Sequence, residues 1–149
     1  MEANFEKIIS FAIEKENEAA ELYRGLSSRV QKQNAKTMFD ELSAEEVKHG
    51  EFLKSMTEKS IPNLKLEDVT DLKISDYLVD ITFKPDMDYQ DILIMAMKRE
   101  ESAVKLYSDM SAQVQEPEVK NLLNFMSQQE SKHKLRLETE YDKNVLAED

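Results

Sequence analysis

Two stretches of this chain, AIEKENEAAELY at residues 12–23 and AMKREESAVKLY at residues 96–107, repeat one another at an offset of 84 residues. The offset brings Ala12, Glu16, Ala19, Leu22 and Tyr23 onto Ala96, Glu100, Ala103, Leu106 and Tyr107. The same step further on carries Ser43, Glu46, Lys48, His49 and Leu53 onto Ser127, Glu130, Lys132, His133 and Leu137. A chain written twice from one pattern is expected to fold as two copies of one supersecondary unit, so the first question is what a single copy forms.

In the first copy Phe5, Ile8, Ile9, Ala12, Ile13, Ala19, Ala20, Tyr23 and Leu26 recur at steps of three and four residues, which predicts a helix over about 5–30 with one buried face. Met38, Phe39, Leu42 and Leu53 do the same for a second helix over about 35–58. The turn QKQN between them is short, so the two helices run antiparallel as neighbours. YQDILIMAMKREESAVKLYSDM and PEVKNLLNFMSQQESKHKLRLETEY repeat the hairpin, with Asn4 and Asp88 placed as N-caps and Pro117 suited to a first helical turn. Two glycines and three prolines in 149 residues leave little turn chemistry for strands. The expected fold is all-α: one domain over residues 1–149, with hairpin 1 at about 5–58, a long crossover at about 59–87 and hairpin 2 at about 88–141. Such a crossover makes a four-helix bundle in which the second and third helices run parallel. Within it DVTDLKISDYLVDI has the pattern of a short extra helix, and the closing DKNVLAED reads as a frayed acidic tail.

Composition removes several function classes. A net charge of −11 repels nucleic acid and anionic membrane surfaces. The absence of cysteine excludes disulfides, thiol catalysis and Cys-ligated iron within the chain. The first residues, MEANFEKIISFAIEKENE, have neither the basic start of a signal peptide nor the apolar length of a spanning helix, so a cytoplasmic protein is expected.

The only two histidines, His49 and His133, each follow a glutamate by three residues, at matched repeat positions. Residues three apart share a helix face, so Glu46 with His49 and Glu130 with His133 are each a two-pronged grip. Glu16 and Glu100 sit in the middle of the apolar stripes of the first and third helices, where an unneutralised carboxylate costs several kcal/mol, as the usual estimates have it. No basic residue is expected on those stripes. Two divalent ions would therefore be the economical counter-charge to four glutamates, and carboxylate with imidazole suits iron, manganese or zinc. The neighbouring Glu14, Glu18 and Glu21 fall off the stripe and read as solvated charge, while Met97, Met110 and Met126 read as packing.

Together Glu16, Glu46, His49, Glu100, Glu130 and His133 resemble the ligand set of the rubrerythrin branch of the ferritin-like di-iron carboxylate proteins; one Glu from each of two helices plus Glu-x-x-His from the other two is a known pattern of such bundles. The resemblance covers all four helices. It implies two iron ions, with manganese or zinc as substitutes, Glu46 and Glu130 bridging, Glu16 and Glu100 capping one ion each, and Tyr23 and Tyr107 hydrogen-bonding ligand carboxylates. It also implies a di-iron oxidoreductase that reduces hydrogen peroxide or dioxygen, a homodimer, and a separate electron donor such as a rubredoxin-like protein. The alternatives are a ferroxidase that handles iron and a metal-stabilised helical module without turnover. Two departures stand out: this chain has no Cys-rich rubredoxin segment, and Ala103 occupies the position where rubrerythrin has a further carboxylate on the third helix.

Overall fold

The computed structural model describes residues 5–58, 84 and 86–146. Among them lie α1 (Phe5–Arg29), α2 (Gln33–Glu58), α3 (Tyr89–Gln113) and α4 (Pro117–Leu146), and no strand. The chain divides into two compact units, Met1–Ile74 and Ser75–Asp149. Each contains one of the two hairpins.

In the first unit α1 packs on α2. Ile8, Ile9, Ala12, Ala19, Ala20, Tyr23 and Leu26 of α1 are buried, and so are Met38, Phe39, Leu42, Leu53 and Met56 of α2. Tyr23 stacks on Phe39 with ring centroids 6.0 Å apart and planes 18° from parallel. Each buried Leu or Ile contributes on the order of 1.5–3 kcal/mol, the source of stability against which any buried charge must be set. The turn is shorter than QKQN: α2 already begins at Gln33.

In the second unit α3 packs on α4 in the same way. Asp88 caps α3, its Oδ1 accepting from the Asp91 amide at 2.8 Å, and Pro117 opens α4, where its missing N–H costs nothing. The two units share their hydrogen bonds as well as their sequence pattern. The Ser43 hydroxyl donates to the Ala20 carbonyl at 2.7 Å, and Ser127 donates to Val104 at 3.2 Å. Lys36 Nζ donates to the Ser27 carbonyl at 3.2 Å, and Lys120 Nζ to Ser111 at 3.0 Å. The helix ends match too: the Val30 amide reaches the Leu26 carbonyl at 3.1 Å and the Val114 amide reaches Met110 at 3.2 Å. Every one of these pairs is related by the offset seen in the sequence.

One expectation is overturned. Residues 142–146 are not a frayed tail, because α4 continues to Leu146, and residues 147–149 lie outside the described residues. Its last turns are tied down: Tyr89 Oη donates to Glu140 Oε1 at 2.9 Å, Gln90 Nε2 to Tyr141 Oη at 2.9 Å, and Asn144 Nδ2 to the Glu140 carbonyl at 2.7 Å. Residue Asn4 and nearly all of the crossover, with its suggested short helix, lie outside the described residues. No helix among the described residues is long and apolar enough to cross a membrane.

Ser43→Ala removes a buried donor from an α2-to-α1 contact and should cost about 1 kcal/mol, with Ser127→Ala costing less because its bond is longer and half-exposed. Urea denaturation midpoints measure both. Burial, then the hydrogen bond to Glu140 and its charge, push the Tyr89 phenol well above its ordinary value of 10.0. The neutral phenol's contribution is therefore complete below pH 10 and declines as the pH rises above it, because only the unfolded chain ionises there. Tyr89→Phe should lower stability by about 1 kcal/mol at neutral pH and lose this alkaline decline, read from melting temperatures between pH 8 and about 11.

Candidate metal centre

Glu16 lies two turns before Tyr23 on the buried face of α1, and Glu46 and His49 share one face of α2, so the α1–α2 hairpin brings all three side chains inward. Both carboxylates are fully buried and His49 is 3% exposed. His49 Nδ1 stands 3.6 Å from Glu16 Oε2 and 4.0 Å from Glu46 Oε1. Gly50 permits the close approach of α2 here, since a Cβ at that position would lie 3.2 Å from Asn17 Oδ1.

The second unit repeats the arrangement. Glu100 of α3 and Glu130 of α4 are fully buried, and His133 Nδ1 stands 3.7 Å from Glu100 Oε2 and 3.5 Å from Glu130 Oε1. Within each trio the potential ligand atoms lie within 4.8 Å of one another. Tyr23 and Tyr107 are buried in their hairpins. Glu14, Glu21 and Glu101 are exposed, and Glu18 pairs with Lys15 at 3.0 Å. Met110 and Met126 are buried as expected of packing, whereas Met97 is only half-buried.

The expectation that no basic group lies on the buried stripes is wrong. Arg99 is 6% exposed, and its Nη1 contacts Glu130 Oε2 at 2.6 Å and Glu100 Oε1 at 3.2 Å. One guanidinium nitrogen thus spans two buried carboxylates. Burial pushes the Glu100 carboxyl up, but the Arg99 charge and the adjacent His133 outweigh it, and the net direction is down. The signal was present in the sequence. Ile92, Ala96, Leu106 and Met110 define a seam whose missing step is position 99, and the buried residues of α3 include all of them. The apolar stripe drawn around Glu100 leaves position 99 just off its edge, yet an arginine there has a stem long enough to bring its head back to the carboxylates.

Whether a metal suits these residues can be judged from atoms as well as residue types. Glu16 Oε2, both carboxylate oxygens of Glu46 and His49 Nδ1 are buried without a hydrogen bond, as are Glu100 Oε2, Glu130 Oε1 and His133 Nδ1. Buried polar atoms are normally satisfied, and oxygen with imidazole nitrogen is a donor set for divalent transition ions. The residues fit.

The family model for Rubrerythrin matches residues 7–141. The chain belongs to the rubrerythrin family. Two solved structures match over nearly its whole length. A hypothetical protein from Pyrococcus furiosus is 24% identical with a TM-score of 0.73, the match covering 95% of this chain and 90% of that one. A Thermotoga maritima protein described as a ferritin-like diiron-carboxylate protein is 19% identical with a TM-score of 0.80, covering 97% and 98%. At these identities the likeness shows the fold, which is the all-α ferritin-like four-helix bundle. No curated protein gives a significant match. Family membership and the two buried Glu/Glu/His trios together support a di-iron type of protein.

Glu130→Leu would leave the Arg99 guanidinium in the interior without its shorter carboxylate contact. It should destabilise the protein by about 3–5 kcal/mol in the presence of a chelator, the usual cost of removing one partner of a buried pair, as measured by urea unfolding.

Proposed function

We propose that this protein is a di-iron oxidoreductase that reduces hydrogen peroxide, or dioxygen, with electrons from a separate donor protein. The observation that carries this reading is the duplicated buried trio of two carboxylates and one imidazole in a member of the rubrerythrin family. Glu16, Glu46, His49, Glu100, Glu130 and His133 would hold the two ions. A pair of ferrous ions held there would supply two one-electron oxidations, matched to the reduction of hydrogen peroxide and two protons to two waters, with the donor protein as the source of the electrons. The chain's own contribution is to fix the ligand atoms on rigid helices and to surround them with apolar side chains such as Ile9, Ala12, Leu93 and Ala96, which keep bulk water away. Tyr23 and Tyr107 are read as groups that orient ligand carboxylates.

The donor must lie outside this sequence, because no cysteine is present to hold an iron relay. A rubredoxin-like protein has the appropriate chemistry, and manganese or zinc could fill the same ligands without supporting the same electron transfer. The reading includes a homodimer, on the family resemblance, and a cytoplasmic location, in keeping with an acidic chain that has no cysteine. A second reading, ferroxidase activity, draws on Ala103: the third-helix carboxylate of rubrerythrin is replaced by a methyl group, so one route for ligand rearrangement during peroxide turnover is missing.

Protein purified without oxygen should contain about two iron ions per chain under the two-metal scheme. His49→Ala and Glu130→Ala should each lose iron, while Glu101→Ala, on the exposed face, should keep it. Equal loss in all three would show that the ligands are misassigned. In stopped-flow experiments on the diferrous protein, oxidation by peroxide should outrun oxidation by dioxygen; the reverse order would replace the peroxidase reading with the ferroxidase one.

A further inference from the structure

Among the described residues Arg99 is the one buried lysine or arginine; its counterpart before Glu16 is Lys15, which pairs with Glu18 at 3.0 Å. The guanidinium and the imidazole of the second hairpin meet the same two carboxylates by different oxygens. Arg99 Nη1 contacts Glu100 Oε1 at 3.2 Å and Glu130 Oε2 at 2.6 Å, whereas His133 Nδ1 lies 3.7 Å from Glu100 Oε2 and 3.5 Å from Glu130 Oε1. Each glutamate is therefore divided: one oxygen faces the arginine and the other faces the histidine.

That division decides what the guanidinium can do to a metal centre. The oxygens on the His133 side converge with an imidazole nitrogen, the donor set that suits a divalent transition ion. On the Arg99 side a charge-assisted hydrogen bond draws electron density from the same carboxylates and sets a fixed positive charge beside them. Oxidising a ferrous ion to ferric adds one positive charge, and a fixed neighbouring cation penalises the more positive state. The effect is largest where water cannot screen it, and Arg99 is only 6% exposed.

From this geometry we infer that Arg99 is a positioning residue of the metal centre: it stays on Glu100 Oε1 and Glu130 Oε2 when ions are bound and raises the reduction potential of the iron pair. The inference rests on the di-iron reading above and deepens it, because it gives this chain a residue for the half of the reaction in which the donor protein returns electrons. In that half the donor gives up one electron for each ferric ion reduced to ferrous, and no bond in the chain is made or broken. A guanidinium fixed beside two ligand carboxylates favours the ferrous side, so a weaker reductant suffices as donor.

The test is an anaerobic redox titration of the iron-loaded full chain, following the absorbance of the ferric form. Arg99→Gln, which removes the charge but keeps a polar side chain, should lower the midpoint potential by about 60–120 mV, equivalent to about tenfold to a hundredfold in the ferric-to-ferrous ratio of a one-electron couple. Lys98→Gln removes the same charge one position earlier on the exposed face and should move the potential far less. The wild type supplies a second measurement. Of the four arginines, Arg24, Arg29 and Arg136 are exposed, so in nitrogen-15 NMR spectra of the chelator-treated protein the Arg99 guanidinium should stand out as slow to exchange with water, and it should remain so after zinc(II) is added. An unchanged or raised potential in Arg99→Gln, an equal fall in Lys98→Gln, or loss of the Arg99 protection on adding zinc would each overturn the inference while leaving metal binding intact. Neither iron nor zinc retained by the wild type would overturn the metal reading itself.

Discussion

Everything in this molecule is arranged around carboxylates withdrawn from water. Glu16, Glu46, Glu100 and Glu130 are each fully buried in helical hairpins whose other inward residues are largely aliphatic or aromatic. The desolvation penalty of a single buried carboxylate is several kcal/mol, comparable to a large part of the net stability of a domain this size. A fold that keeps four must supply positive charge near them or hold them neutral. The two hairpins bring an imidazole to the carboxylates in the same way, and in the second hairpin a guanidinium as well.

That difference is informative because so much else is the same. Ser43 and Ser127 fasten one helix to the other at equivalent points, Lys36 and Lys120 close equivalent turns, and both first helices end on the same amide-to-carbonyl bond. The amide-to-carbonyl bonds at Val30 and Val114 need only the helix end, whereas the others need a serine and a lysine at matched positions, and both halves keep them. The halves differ at many positions, and three of these touch or flank the acids: Lys15 against Arg99, Glu18 against Ser102, and Gly50 against Lys134. Gly50 lets α2 come close to Asn17 beside His49, while Lys134 reaches outward to Glu138 at 3.6 Å. The trio of two glutamates and a histidine is present twice, while its surroundings differ in charge and in packing.

Much of this was legible in the sequence because it is periodic. Helix faces, hairpin partners, the Asp88 cap, the Pro117 start and the burial of Glu16 and Glu100 all follow from spacing at three and four residues or from one strong local rule. Arg99 escaped because a stripe drawn through Cβ positions ignores how far a long side chain can travel, and nothing in residue type alone says whether a lysine or arginine at a stripe's edge turns inward or out. The answer depended on residues three and four positions away, Glu18 and Phe11 in one half and Ser102 and Met95 in the other. The extent of α4 escaped for a related reason. DKNVLAED is acidic and polar, but the helix just before it is bonded at Glu140 and Tyr141 to Tyr89 and Gln90, some fifty residues earlier.

A buried guanidinium beside two carboxylates also bears on how such a chain folds before it meets a metal. Four acids with no counter-charge would favour an open, hydrated hairpin over a packed one, since the unfolded chain keeps its carboxylates in water. Arg99 gives the second hairpin an internal cation from the moment it forms, joining α3 to α4 through Glu100 and Glu130.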